Sequence, residues 1–510
     1  MRYLKALAQM HSPWIGLIAL LAALFLRMTT EFEPRDFLWA EDATVFLNGA
    51  LTQGKHSLFA PYAGYIHLYP RLVALLACQF DLIWAPTIFF AGWIFAVIAL
   101  VSCAWLFFRR LNIKPAVAFL AVCLILVQPH SGEIFYNLTN VQWMTGFTLP
   151  LVALIDFSGF ARIAAILYIV VTTLTGPFAI MLAPVLILRL WLRRNARPED
   201  VLVFAGAAVQ LTIYLTSARG NGEVADPHWQ HWVSAIWTFL TFGSQYFVIQ
   251  LFSLVFWGAI VAGFRSEIRR SGINRALTNL PTLLLLFGLI VFMASLWAAK
   301  TIPDVITPRG SGARYFFVPY AAAIVFFAAR QNVQPRHGFT YLTGLLVLFM
   351  VHFVSVGHEN RQFRAYQAIA AIEPRTRIPV QPNGWSFFIE KHSHRQNYSV
   401  RFSEEITFPI SLRSAAAMEL SLEKTRNCNP GEFVAIEIAG SRRPQGNYEI
   451  IATGLPSSRQ RLLGVEIKDQ DEQFVLAYIQ PMEAPAIIIR SNRAEDWKSE
   501  KIRLLCIHRS

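Results

Sequence analysis

Apolar residues in this chain come in long blocks separated by short polar loops, and the blocks continue to about residue 356. Blocks at 12–28, 84–108, 115–128, 141–158, 161–175, 177–192, 201–217, 249–264, 277–298, 315–330 and 339–356 each predict a helix. About 20 apolar residues of helix cross a hydrocarbon core, so the pattern reads as about eleven transmembrane helices. Two further apolar stretches, 66–80 and 233–248, predict helices lying at or partly in the membrane surface, or extra spans that would break the alternation. The first block follows Arg2 and Lys5, and no small-residue cleavage site comes after it. It reads as an uncleaved first helix and not as a signal peptide.

Beyond residue 356 the pattern changes. Residues 358–373 predict a helix, and 375–384, with Pro379 and Pro382, an extended linker. Short alternating runs follow at 398–410, 433–439, 448–453, 462–467, 474–479, 486–490 and 502–508. Several are β-branched and turn residues separate them, the pattern of a small β-sandwich. The expected fold is a polytopic α-helical membrane protein with a C-terminal extracytoplasmic β-sandwich-like domain. Its parts are a transmembrane domain over 1–356, a helix and linker over 357–384, and a soluble β-rich domain over 385–510.

Composition agrees with a membrane solvent: 55% of residues are hydrophobic and 15% charged, and mean hydropathy is +0.42. A soluble chain could not cover that much apolar surface. The formal charge of +13 would suggest nucleic acid in a soluble protein. Here the basic residues concentrate in alternate loops, among them Arg109, Arg110, Lys114, Arg189, Arg193, Arg194, Arg197, Arg269 and Arg270. The positive-inside rule then puts the N-terminus in the cytoplasm and the C-terminal domain outside. The charge is a topology signal, and no nucleic-acid partner is expected. Cys78, Cys103 and Cys123 lie in apolar stretches and read as packing residues. Cys428 and Cys506 lie in the outer domain and are expected to form a disulfide in an oxidising compartment.

The carboxylates of the membrane part fall mostly outside or at that interface: Glu31, Glu33, Asp36, Glu41, Asp42, Asp81, Glu133, Glu223, Asp226 and Asp304. A polar active site is therefore expected to face outward. The first outer loop carries the pair Glu41 and Asp42 after Trp39, then His56, then Tyr62, Tyr65, His67, Tyr69 and Arg71 leading into an apolar segment. The second, His130 to Trp143, mixes Glu133, Asn137, Asn140 and Gln142 with Tyr136 and Trp143. Arg309 stands in the loop before the tenth span, and Arg314-Tyr315 opens that span.

On these residues the chain resembles bacterial members of glycosyltransferase superfamily C. Over residues 10–356 the resemblance is one of architecture, and it is local at 39–71, 130–143 and 309–319. It implies an inverting enzyme that moves a sugar from a polyprenyl-phosphate carrier to an envelope glycan, lipid or protein on the outer face of a bacterial inner membrane. Under the resemblance Asp42 is the base that takes the acceptor hydroxyl proton, with Glu41 next. Fixed positive charge for the leaving phosphate comes from Arg309 and Arg314, then Lys300, Arg71, His56 and His67. His130, Glu133, Tyr136, Asn137, Asn140, Gln142, Trp143, Tyr62 and Tyr65 are the sugar or acceptor contacts, since amides bind hydroxyls and rings stack on sugar faces. No Cys/His cluster has zinc spacing and no nucleotide-phosphate loop is found. No cofactor is required, although Glu41, Asp42 and Glu133 could hold a divalent cation with a substrate phosphate. A transporter or flippase of lipid-linked glycan, a glycan polymerase or ligase, and a non-catalytic envelope scaffold are the competing readings. Transport of ions would place ionisable groups deep in the spans, and the span interiors are nearly free of charge.

Overall fold

The structure, a computed structural model, describes residues 33–128, 133–217, 229–299, 312–330, 335–351, 362–372, 377–382 and 385–387. From residue 398 onward it describes the strands of the C-terminal region. The expected first helix, the loop ends with His130, Lys300 and Arg309, and Cys428 lie outside the described residues. The chain divides into two compact units. One gathers residues 58–70 and 92–351; the other gathers 33–57, 71–91 and the described residues from 362 on.

The described part is mostly helical, and helices stand at each apolar block read from the sequence beyond the first. They are α1 (Asn48–Gln53), α2 (Leu68–Ala77), α3 (Ala85–Arg110), α4 (Pro115–Val127), α5 (Val141–Ala153), α6 (Gly159–Thr173), α7 (Phe178–Arg193) and α8 (Pro198–Thr216). Then come α9 (Trp229–Leu240), α10 (Phe247–Ser271), α11 (Ile273–Leu277), α12 (Leu280–Ala298), α13 (Arg314–Arg330), α14 (Pro335–Val351) and α15 (Phe363–Ile372). Local chemistry sets many ends. Pro115 and Pro198 open α4 and α8, where the missing N–H costs nothing. Arg109 and Arg110 close α3, where cations favour the carbonyl end of the dipole.

Four segments are long and apolar enough to cross a membrane: Leu82–Arg110, Pro198–Thr216, Phe247–Ser271 and Leu280–Ala298. The shortest of them, at 19 residues, spans about 29 Å at 1.5 Å per residue, close to the thickness of a hydrocarbon core. Along α10 the large side chains of Phe247, Val248, Leu251, Val255 and Val261 are exposed. A row of that kind needs lipid or a partner against it and not water. These are the features of a helical membrane protein.

In the first unit α4 and α13 are apolar on every side and almost wholly buried, which is the pattern of a core helix. Tyr320 of α13 stacks on Phe239 at 5.2 Å and donates its hydroxyl to the Phe239 carbonyl at 3.0 Å. Helices α12 and α13 meet through Gly288, where an added Cβ would stand 2.7 Å from the Ala322 Cβ and 3.3 Å from the Pro319 Cα. Charges expected on the cytoplasmic side pair with one another. Arg189 bonds Asp200, both buried; Arg162 Nε reaches Glu199 at 3.0 Å; Arg197 Nη1 reaches Asp156 at 2.8 Å; Arg330 bonds Glu267. The Arg197 hydrogen bond and the nearby arginines hold the Asp156 carboxyl below the usual range, against a smaller opposing effect of burial.

In the second unit the proline-rich 375–384 segment is more than a linker. Strand β1 (Ile378–Val380) pairs antiparallel with β2 (Trp385–Phe387). The remaining strands are β3 (Tyr398–Ile406), β4 (Met418–Leu422), β5 (Phe433–Gly440), β6 (Gly446–Ala452), β7 (Arg461–Ile467), β8 (Gln473–Ile479), β9 (Ile487–Ser491) and β10 (Ser499–Arg509). They form two four-stranded sheets, ordered β3-β10-β5-β8 and β4-β9-β6-β7. Strand β4 had no expectation in the sequence, because the run Met-Glu-Leu-Ser-Leu has no β-branched or aromatic residue.

The Gly288 contact gives a stability test. Gly288→Ala should lower the thermal midpoint of the purified protein, at a cost of about 1–3 kcal/mol, because Pro319 backbone and Ala322 cannot both move aside. An unchanged midpoint would mean that α12 and α13 do not approach this closely.

Candidate functional site

The acidic pair of the first loop sits on an unusual piece of backbone. A 3-10 turn, Pro34–Asp36, is capped by the Glu33 carboxylate, which accepts from the Arg35 amide at 3.3 Å. The chain then runs extended, and the Gln381 amide donates to the Leu38 carbonyl at 3.0 Å. Asp42–Leu47 forms a π-helical turn that passes directly into α1. Wide turns of this kind are rare and concentrate at functional positions. Asp42 is 1% exposed, while Glu41 is half-buried. The neighbours Ala43, Phe46 and Leu47 are fully buried. Helix α1 ends at Gly54 with φ 57°, and the 3-10 turn after it leaves His56 exposed.

Arg71, on α2, belongs to the same unit and lies against the same turn. Its guanidinium carbon stands 5.5 Å from the centre of the Phe46 ring, and its Nη1 would lie 3.2 Å from a Cβ added at Gly49. The side chain is 3% exposed. Its Nε has no hydrogen-bond partner among the described residues. Burial holds the guanidinium below the ordinary arginine value. A buried guanidinium with an unmet donor is costly, and the ring face of Phe46 offsets only part of that cost. Among the described cations named from the sequence, Arg71 has the clearest unmet demand for an anion.

The other named residues that are described lie in the first unit. Tyr62 and Tyr65 exchange backbone hydrogen bonds at 2.9 and 3.0 Å around Ala63 and Gly64, both at positive φ. That is the two-residue turn of a tight hairpin. Tyr65 stacks on Tyr214 at 5.3 Å, and His67 Nε2 lies 3.2 Å from the Tyr62 carbonyl. Gln210, inside the apolar helix α8 and fully buried, holds both backbone groups of Ile66, accepting at 2.9 Å and donating at 3.1 Å. Gln210 escaped the sequence reading. Its signal was a lone amide inside a span, a type of position that tends to be occupied for a reason.

In the second loop the amides serve the loop itself. Asn137 Nδ2 donates to the Phe135 carbonyl at 3.1 Å, the Asn140 amide to Asn137 Oδ1 at 2.9 Å, and Asn140 Nδ2 to the Glu133 carbonyl at 3.1 Å. Tyr136 packs on Trp93 at 4.9 Å. The Glu133 carboxylate takes the Arg314 backbone amide at 3.3 Å and pairs with the guanidinium. Arg314 therefore already has an anion, and its guanidinium also lies over the Tyr315 ring. Trp143 packs edge-on to Tyr315 and Phe178 at 5.5 and 5.1 Å. Gln142 fills the space at Gly176, where a Cβ would stand 2.5 Å from its Oε1.

Among the described residues no group of three or more His, Cys, Asp or Glu is gathered to hold a metal ion. Cys103 and Cys123 are free thiols, and Cys506 falls within β10. Comparison with family models, with curated proteins and with solved structures returns no match. The class, a helical membrane protein, stands on the apolar helices.

Arg71 separates a ligand role from a structural one. Arg71→Met should leave the thermal midpoint unchanged or raise it, with a gain in stability of up to about 4 kcal/mol, because replacing a buried charge by an apolar chain is often neutral or stabilising. Pyrophosphate should stabilise the wild type and not the variant. A large fall in the variant's midpoint would mean that the guanidinium serves the fold.

Proposed function

We propose that the protein is an inverting glycosyltransferase of the superfamily C type, which moves a sugar from a polyprenyl-phosphate donor to an envelope glycan, lipid or protein. The observation that carries this reading is the turn Asp42–Leu47, with a buried carboxylate at its start and the buried Arg71 against its Phe46 ring. Asp42 takes the proton of the acceptor hydroxyl. The hydroxyl oxygen attacks the sugar C1 from the face opposite the carrier, the C1–O bond to the phosphate breaks, and the phosphate leaves with the electron pair. A base in reach of the proton and a fixed cation near the leaving charge are the two supports this displacement needs. Arg71 is the cation assigned to the phosphate. Glu41 is left for the acceptor.

The topology in this reading has about eleven spans, the N-terminus in the cytoplasm and the C-terminal region in the periplasm of a bacterial inner membrane. The mutual pairing of Arg162, Arg189, Arg197 and Arg330 with Glu199, Asp200, Asp156 and Glu267 supports a common side for those loops. The strand orders support a sandwich. Counting β3 as the first of eight strands, they read 1-8-3-6 and 2-7-4-5, the connectivity of a jelly roll.

The test compares wild type with Asp42→Asn, at equal membrane levels, in a strain lacking the native protein. Envelope glycans are read by mass spectrometry. Wild type should add one sugar mass, and the variant should fall by about 100- to 10,000-fold, the usual contribution of a general base. Equal glycans in both strains would remove Asp42 from the chemistry. No change in either would count against the transferase and in favour of a flippase or scaffold.

A further inference from the structure

The Asp36 carboxylate is 1% exposed and bonded entirely toward one residue in a distant part of the chain. Its Oδ1 accepts from the Arg364 backbone amide at 2.9 Å and from Arg364 Nε at 3.0 Å, and its Oδ2 accepts from Arg364 Nη2 at 2.6 Å. The two residues are 328 positions apart. Burial pulls the Arg364 guanidinium down, yet the hydrogen bonds and charge of Asp36 outweigh it and raise its affinity for a proton. A planar fork meeting both carboxylate oxygens fixes orientation as well as distance. Arg364 itself is held in α15, whose Phe363, Ala365, Tyr366, Ala368 and Ile369 are all buried.

Two more contacts tie the same stretches together. Trp39 forms a parallel bridge with Gln381, and strand β2 lies against the π-helical turn. Three attachments therefore reach the segment Asp36–Leu47, all from residues 362–387. The turn they hold is one that local preference does not favour.

We propose that Arg364 is a positioning residue for Asp42: through Asp36, and with Gln381 at Leu38, helix α15 and the β1–β2 pair set the aim of the acidic turn. This rests on the proposed transferase reading. Arg364 touches no reacting atom. It acts by fixing the backbone from which Asp42 projects, and a misplacement of about 1 Å at a catalytic group can cost about 100-fold in rate.

The experiment uses the full-length protein in lipid nanodiscs with a polyprenyl-phosphate sugar and native acceptor membranes. Arg364→Ala, Arg364→Lys, Asp36→Asn and the double Arg364→Ala/Asp36→Asn are compared with wild type, with Asp42→Asn as the inactive control. Two readouts are taken: kcat and donor KM per folded molecule, and backbone hydrogen exchange across residues 37–47. In Arg364→Ala, kcat should fall about 100-fold at unchanged donor KM, and exchange should rise over 37–47. Arg364→Lys should recover part of both, and the double variant should be no worse than either single one. A folded Arg364→Ala protein with wild-type kcat and wild-type exchange overturns the proposal. So does a loss confined to the yield of folded protein. If wild type transfers no sugar, the transferase reading fails, and exchange alone decides whether Arg364 sets the turn. Raised exchange over 37–47 then upholds the positioning role, and unchanged exchange overturns it.

Discussion

In a chain this apolar, a polar group that leaves water has to find its partner inside the protein. Much of the described structure outside the helices follows from that constraint. The backbone of Ile66 is met by the two ends of one amide, Gln210. The turn before α5 closes on itself through Asn137 and Asn140. Asp200 is buried, and it meets both the Arg189 guanidinium and the Arg197 backbone amide. Each of these bonds ties a segment that periodicity alone would leave loose. Truncating one partner leaves the other buried and unmet, which is where the large costs arise.

The same constraint makes its exception informative. Arg71 is as buried as those groups, and its Nε has no partner among the described residues. The Phe46 ring is worth about 0.5–2 kcal/mol to such a cation, less than the several kcal/mol that desolvating an ion costs. A fold shaped for stability alone would place an apolar residue there. A site shaped for an anionic leaving group would leave the cation waiting, because an anion arriving in a dry site meets it at full strength. Arg314 shows the contrast. The resemblance ranks it ahead of Arg71, yet its guanidinium is already paired with Glu133.

Helix positions were legible because they depend on local periodicity. Each apolar block beyond the first carries a helix, most of them within a few residues of the expected ends, and 358–373 carries one over Phe363–Ile372. The alternating runs after residue 398 likewise carry strands. What was illegible is either non-local or locally unfavourable. The Asp36–Arg364 pair joins residues 328 apart, and nothing in the spacing of either marks the other. Strands β1 and β2 were hidden by Pro379 and Pro382, since proline argues against a strand unless it lies at an edge. The pair Glu41 and Asp42 was legible as a carboxylate pair beside an apolar span. Its backbone was not, because no residue pattern specifies a π-turn.

That last gap has a physical content. Thr44 and Val45 are β-branched and weak helix formers, so residues 42–47 have little local reason to coil into a wide turn. A conformation of this kind persists where its surroundings over-determine it. Within the turn the Thr44 hydroxyl bonds the Ala40 carbonyl at 2.9 Å, and Asn48 N–H reaches back to the Ala43 and Val45 carbonyls. These bonds close the turn but do not aim it. Aim has to come from outside, and the contacts that supply it belong to α15 and the β1–β2 pair. The acidic turn thus clusters with the C-terminal region, together with α1 and residues 71–91, and not with the helices from residue 92 to 351. A boundary drawn at residue 356 from hydropathy follows the solvent of each segment, whereas the compact units follow which segments hold one another.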